Sequence, residues 1–215
     1  IMLVKNVMTK EPIYVSPDCS VTDAKALMNK KSINKLPVVD KQNRLVGIVT
    51  KNDLAKTGPS EATTLDIYEI GYLLSKITVS KIMTKNVVTV SENEVVEEAA
   101  RLMVDNHIGC VPVMKDDVLV GIITESDLFN LFTDMFGARH KGVRFILTLD
   151  DRPGQLSRLI EGIAASQGNL VCLVTRELKE SGKRRLTLKV TDVSISQIEE
   201  ILKKIGLSAD DIRII

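Results

Sequence analysis

The chain has 215 residues, 44% hydrophobic and 27% charged, which is room for one large or two ordinary globular domains with a buried core. A net charge of +1, 3% aromatic residues and no tryptophan offer neither a basic phosphate-tracking surface nor a base-stacking platform, so nucleic acid is not an expected partner. Cys19, Cys110 and Cys172 are too few and too scattered for a disulfide framework or a metal cluster; with no stretch near the roughly 20 apolar residues of a membrane span and no signal-peptide pattern, no membrane partner is expected and a cytoplasmic location is.

Val4-Lys5-Asn6-Val7-Met8-Thr9 is echoed by Val79-Ser80-Lys81-Ile82-Met83-Thr84. A short β-prone run follows each, Pro12 to Ser16 and Val87 to Ser91. A helix comes next in both: Val21, Ala24, Leu27 and Met28 stripe one face of the first, and Val96, Ala99, Ala100 and Met103 stripe the second. Ser32 to Val39 and His107 to Met114 read as strands entered by a turn, each containing a proline that withholds one ladder donor. Polar turns then lead into the most repetitive passage. Leu45-Val46-Gly47-Ile48-Val49-Thr50-Lys51-Asn52-Asp53-Leu54 is written again as Leu119-Val120-Gly121-Ile122-Ile123-Thr124-Glu125-Ser126-Asp127-Leu128. Each copy is therefore strand, helix, strand, strand, helix. A unit of about 50 residues hardly covers its own sheet, so the copies are expected to pack on each other.

Thr50-x-x-Asp53 and Thr124-x-x-Asp127 admit two readings. As capping boxes, the hydroxyl accepts an early helix amide and the carboxylate reaches back to the cap residue's own amide. As a ligand site, the helix start and threonine take a phosphate, while the carboxylate, a two-oxygen acceptor, suits a ribose diol. Together these describe a nucleotide.

Between the copies Gly58-Pro59-Ser60 breaks the chain, and 63–77 reads as a linker helix with Ile70, Leu73, Leu74 and Ile77 on one face and Tyr68 and Tyr72 along another. It either packs back across the pair or joins a subunit interface. Composition changes at Gly137 to Gly142, giving segments 2–57, 58–78, 79–136 and 142–215. In the last, Val143 to Leu149 is a strand and Asp151-Arg152-Pro153-Gly154-Gln155-Leu156 is a turn opening a helix to about Gln167. A hairpin, Val171 to Glu177 and Arg184 to Val190, turns at Glu180-Ser181-Gly182; a capping box at Ser196 and Glu199 starts a second helix; Ile212 to Ile215 is the last strand. This order is that of a ferredoxin-type sandwich.

His107 and Cys110 stand three apart, but with no other His or Cys close in sequence they read as packing residues, not a metal or nucleophile pair. Asp116-Asp117, Asp150-Asp151 and Asp210-Asp211 read as turn formers. No Walker loop, dinucleotide glycine fingerprint or hydrolase elbow is present, so no catalytic residue, metal or catalytic cofactor is expected.

Residues 2 to about 134 resemble a tandem pair of cystathionine-β-synthase (CBS) domains, through Val7-Met8-Thr9, Leu36-Pro37-Val38-Val39, Gly47 to Asp53 and their partners in the second copy. Residues 142–215 resemble an ACT domain through Asp151 to Leu156 and the element order. The combination is similar to the acetoin-utilisation accessory proteins. The resemblance implies an α+β fold, with two β-α-β-β-α repeats packed on each other and a ferredoxin-like βαββαβ ACT domain. It also implies an adenosine-containing ligand (AMP, ADP, ATP, NAD or S-adenosylmethionine) between the repeats, and a homodimer. By position, Thr50 and Thr124 meet phosphate, Asp53 and Asp127 meet ribose, and Ile13, Ile33, Val87 and Ile108 meet adenine. For the ACT domain it implies an amino acid or other small effector near Asp151, Pro153, Gly154, Gln155 and Leu156. Lys35 and Lys51 align with Cys110 and Glu125, so the first copy's site is expected to be richer in positive charge and to take the more highly charged ligand. The expected function is a non-catalytic regulator sensing an adenine nucleotide, its ACT domain serving a second effector or dimerisation. The rivals are a structural interaction module with no nucleotide and an enzyme acting on S-adenosylmethionine or a nucleotide.

Overall fold

The computed structural model describes residues 2–57, 72, 75–179 and 182–215. Most of the expected linker helix, and Glu180 and Ser181 of the hairpin turn, lie outside the described residues. The chain divides into two compact units, residues 1–128 and 129–215.

The first copy runs α1 (Val4–Val7), β1 (Thr9–Lys10), α2 (Val21–Lys31), β2 (Lys35–Val39), β3 (Leu45–Thr50) and α3 (Lys51–Ala55). After a 3-10 turn at Val79–Lys81, the second continues with β4 (Val90–Ser91), α4 (Val96–Asp105), β5 (Cys110–Lys115), β6 (Val118–Thr124) and α5 (Glu125–Met135), the last crossing into the second unit. Ser20 caps α2 by accepting the Asp23 amide at 3.0 Å. The helix then buries Val21, Ala24 and Met28 against Leu36, Val38, Val49 and Leu54, each large apolar side chain contributing about 1.5–3 kcal/mol of transfer free energy. Both α2 and α4 end on a left-handed residue, Ser32 (φ 52°) and His107 (φ 54°). The next amide, Ile33 or Ile108, returns to the carbonyl of Met28 or Met103, which aims the chain into β2 or β5.

The copies exchange their leading segments. β1 pairs antiparallel with β6 of the other copy, Thr9 opposite Ile122 and Lys10 opposite Gly121, and Thr84 bridges Ile48 of β3 in the same way. Gly121 and Gly47 permit this. A Cβ on Gly121 would collide with the Met8 sulfur and lie 3.0 Å from the Thr9 carbonyl; on Gly47 it would meet the Met83 sulfur and lie 3.1 Å from the Thr84 carbonyl. The repeated Met-Thr and glycine motifs are thus two halves of one contact, made twice. The two sheets are β1-β6-β5-β4 and β2-β3.

The β-prone runs are shorter than expected. Pro12 and Pro17 bracket the first, and only Val15 lies against β2, bridging Val38 in parallel. In the second, the Val87 amide folds back on the Lys85 carbonyl, leaving Val90 and Ser91 as strand.

The second unit contains β7 (Val143–Asp150), α6 (Gln155–Ala165), β8 (Asn169–Leu178), β9 (Lys183–Thr191), α7 (Ile195–Lys204) and β10 (Asp211–Ile214) in one antiparallel sheet ordered β10-β7-β9-β8. Val143, Phe145, Leu147 and Leu149 alternate inward along β7 and meet Leu159, Ile163, Ile198 and Leu202 of the two helices. This is the expected ferredoxin-like arrangement. Two boundaries differ. The cap of α7 is Ser194 with Gln197, not Ser196 with Glu199, and this start adds Ile195 to the face that carries Ile198, Ile201 and Leu202. Helix α6 stops at Ala165 because Gln167 turns left-handed. Buried Lys189 of β9 donates from Nζ to the Gly137 carbonyl at 2.8 Å, anchoring the turn that follows α5. Among the described residues, no helix is long and apolar enough to cross a membrane.

Candidate functional site: two clefts between the repeats

Packing the repeats face to face leaves two related clefts, and each is built from both copies. The larger, about 1040 Å³, joins Ile48, Thr50 and Lys51 of the first copy to Val87, Ile108 and Gly109 of the second. The smaller, about 420 Å³, joins Ile122 and Thr124 of the second copy to Ile13 and Ile33 of the first. Of the eight residues expected at adenine, phosphate and ribose, six are therefore distributed crosswise: each threonine shares a cleft with the apolar side chains of the other copy. Asp53 and Asp127 line neither cleft.

The aspartates are held in the caps. Asp53 Oδ2 accepts from the Thr50 amide at 2.9 Å and from the Thr50 hydroxyl at 2.7 Å, while that hydroxyl accepts the Asp53 amide at 3.3 Å. Thr124 and Asp127 repeat this at 2.8, 2.7 and 3.4 Å. In each half-buried carboxylate Oδ2 is doubly engaged, and Oδ1 has no partner among the described residues. Helix α3 has only five residues, so its dipole adds little at Thr50 and the cationic side chains carry the electrostatics of the larger cleft.

Those side chains are not disposed as the alignment suggests. Lys51 lines the larger cleft, but Lys35 lines both, because its Nζ crosses to the second copy and donates to the Gly109 carbonyl. The same carbonyl accepts the Glu125 amide at 3.2 Å. Glu125 belongs to the corner of the second copy yet lines the larger cleft, and Glu11 lines the smaller. A Cβ on Gly109 would lie 2.6 Å from Glu125 Oε2 and 3.1 Å from Lys35 Nζ, so a side chain there would have to displace both charged groups. Glu11, Gly109, Glu125 and Ser126 were not among the expected site residues. Gly109 aligns with Asn34, which lines both clefts and was not expected there either.

Cys110 is 5% exposed, and burial pushes its thiol up, with Lys35 opposing, as for a cysteine packed in a core. Among the described residues, no group of three or more His, Cys, Asp or Glu side chains could hold a metal ion.

In the second unit the turn before α6 carries Asp151, Pro153, Gly154 and Gln155, with Gly154 left-handed (φ 84°) at the N-cap. Asp151 is committed to Arg184, whose Nη2 and Nε donate to its two oxygens at 2.8 and 3.1 Å and hold its carboxyl below the usual range. Leu156 packs on the core. Of the five candidate effector residues, Pro153, Gly154 and Gln155 remain without such a commitment.

The CBS domain family matches residues 4–59 and 79–134, and the TTHA0829-like ACT domain family matches residues 141–213. A putative acetoin utilization protein (AcuB) from Vibrio cholerae is 31% identical with a TM-score of 0.54, the match covering 65% of this chain and 96% of that one. The CBS domain pair of protein MJ0100, solved in complex with 5'-methylthioadenosine and S-adenosyl-L-methionine, is 35% identical with a TM-score of 0.52, covering 65% and 99%. CBSX2, solved in complex with AMP, is 30% identical with a TM-score of 0.51, covering 61% and 96%. This chain spans only about a quarter of the length of the curated relatives that head the comparison; one is an L-aspartate semialdehyde sulfurtransferase of Methanocaldococcus jannaschii, 37% identical over 133 residues, 61% of this chain and 23% of that enzyme. With two repeats matched in order and a third match beyond them, the chain belongs to the CBS-domain family, as a tandem CBS pair followed by an ACT domain.

Proposed function

We infer that this chain is a non-catalytic regulatory protein whose CBS pair binds an adenosine-bearing ligand, AMP, ADP, ATP or an adenosyl compound such as S-adenosylmethionine or NAD, in the clefts between its repeats. The observation that carries this reading is the crosswise construction of the clefts, each bringing a Thr corner of one copy against apolar side chains of the other. The apolar pair suits the faces of an adenine, Oδ1 of the neighbouring aspartate, without a partner among the described residues, is an acceptor for a ribose diol, and Lys35 and Lys51 supply charge for a phosphate. The related pairs solved with AMP and with methylthioadenosine and S-adenosylmethionine support the ligand class. A ligand spanning both copies favours one placement of the repeats, and the ACT domain, in this reading, takes a second small effector or joins two chains as a homodimer.

One observation favours the rival structural reading: both capping boxes are complete without any ligand. Calorimetry separates the two. Titration of the chain with AMP, ATP and S-adenosylmethionine is expected to give saturable heat with at least one of them; no heat from any, on folded protein, would leave the clefts as packing defects and the corners as caps.

A further inference from the structure

We propose that Lys35 is a specificity-determining residue shared by the two clefts, so that a phosphorylated adenosine ligand in one cleft weakens binding of a second phosphorylated ligand in the other. This rests on the adenosine-ligand reading above and goes beyond it. Repeat symmetry relates position 35 to position 110, and there the pair carries one lysine and one buried cysteine. The junction of the clefts therefore holds one ammonium where a symmetric pair would hold two. Its resting partner is a neutral carbonyl, Gly109, and its unbranched stem lets the head turn toward either cleft.

The charged lysines and acids around it make the consequence unequal. The larger cleft is lined by Lys35, Lys51 and Glu125, and the smaller by Lys35 and Glu11. A phosphate arriving in the larger cleft meets Lys51 and draws Lys35 toward it. The smaller cleft is then left with Glu11 as its only charged lining residue among the described residues, which repels a phosphate and is indifferent to an uncharged nucleoside. The pair is thus built to hold one phosphorylated ligand tightly while its second cleft stays open to a neutral adenosyl ligand.

The test is calorimetry of the full chain with AMP and with adenosine, on wild type, Lys35→Met and Lys35→Arg. In the wild type the two AMP steps are expected to differ by about tenfold more than the two adenosine steps do. Lys35→Met should weaken the tight AMP step and remove that excess, with an unchanged melting temperature of the free chain reporting a folded protein; Lys35→Arg should keep the excess. Equal separation for AMP and adenosine in the wild type, or an excess that survives Lys35→Met, overturns the proposal and leaves the adenosine-ligand reading standing. Failure of wild type to bind either compound removes both.

Discussion

At the scale of single residues, the two Thr-x-x-Asp corners carry a structural role on Oδ2 of each aspartate, and the ligand role proposed above falls to the other oxygen. Oδ2 of Asp53 closes the cap of α3, and Oδ1 is left over. Asp53→Ala is therefore expected to cost about 1 kcal/mol of folding stability, as cap losses do. Because the same cap holds Thr50 at the larger cleft, it should also weaken AMP binding there, with Asp127→Ala doing the same through Thr124 at the smaller. Urea denaturation beside calorimetry checks this; a loss of stability without any loss of AMP binding would reduce both aspartates to caps. The motif was legible in the sequence because it occurs twice at matching places, but its spacing is the same whether the carboxylate faces its own amide or a ligand. Lys35 shows the same limit. Alignment assigns it to the first copy, and only the packed repeats reveal that its four-carbon stem ends on the second copy's Gly109.

At the scale of elements, period and punctuation were enough to find the longer helices and strands in order, while the short α1 and β1 were missed and 12–16 was expected as a strand where only Val15 makes a bridge. Alternation along β7 and the stripe of α2 each match a buried face. The start of α7 was misplaced because Ser194 with Gln197 and Ser196 with Glu199 have the same spacing; the register that brings Ile195 onto the core decides between them. The exchange of leading segments left no local trace, since pairing β1 with β6 or Thr84 with Ile48 is a long-range choice of partner. Its one sequence correlate is the glycine in each strand. Gly47→Ala and Gly121→Ala are expected to cost about 1–3 kcal/mol each, because the new methyl meets a methionine sulfur that can move and a backbone carbonyl that cannot. Urea midpoints unchanged within error in both variants would show that the exchanged segments are not held tightly against β3 and β6.

At the scale of the whole molecule, duplication explains why the clefts are not a property of either repeat. Each copy brings a threonine corner and an apolar pair, and each threonine shares a cleft with the apolar pair of the other copy. Divergence at positions 35, 51, 110 and 125 then made those clefts unequal in charge without altering the fold. The central claim is that an adenosine ligand bridges the copies at these places. Amide hydrogen exchange read by mass spectrometry, with and without saturating AMP, tests it most directly. Slowed exchange is expected around 33–35, 48–53, 84–88 and 108–110, on both copies at once. Exchange unchanged throughout, or slowed only within 142–215, would contradict it.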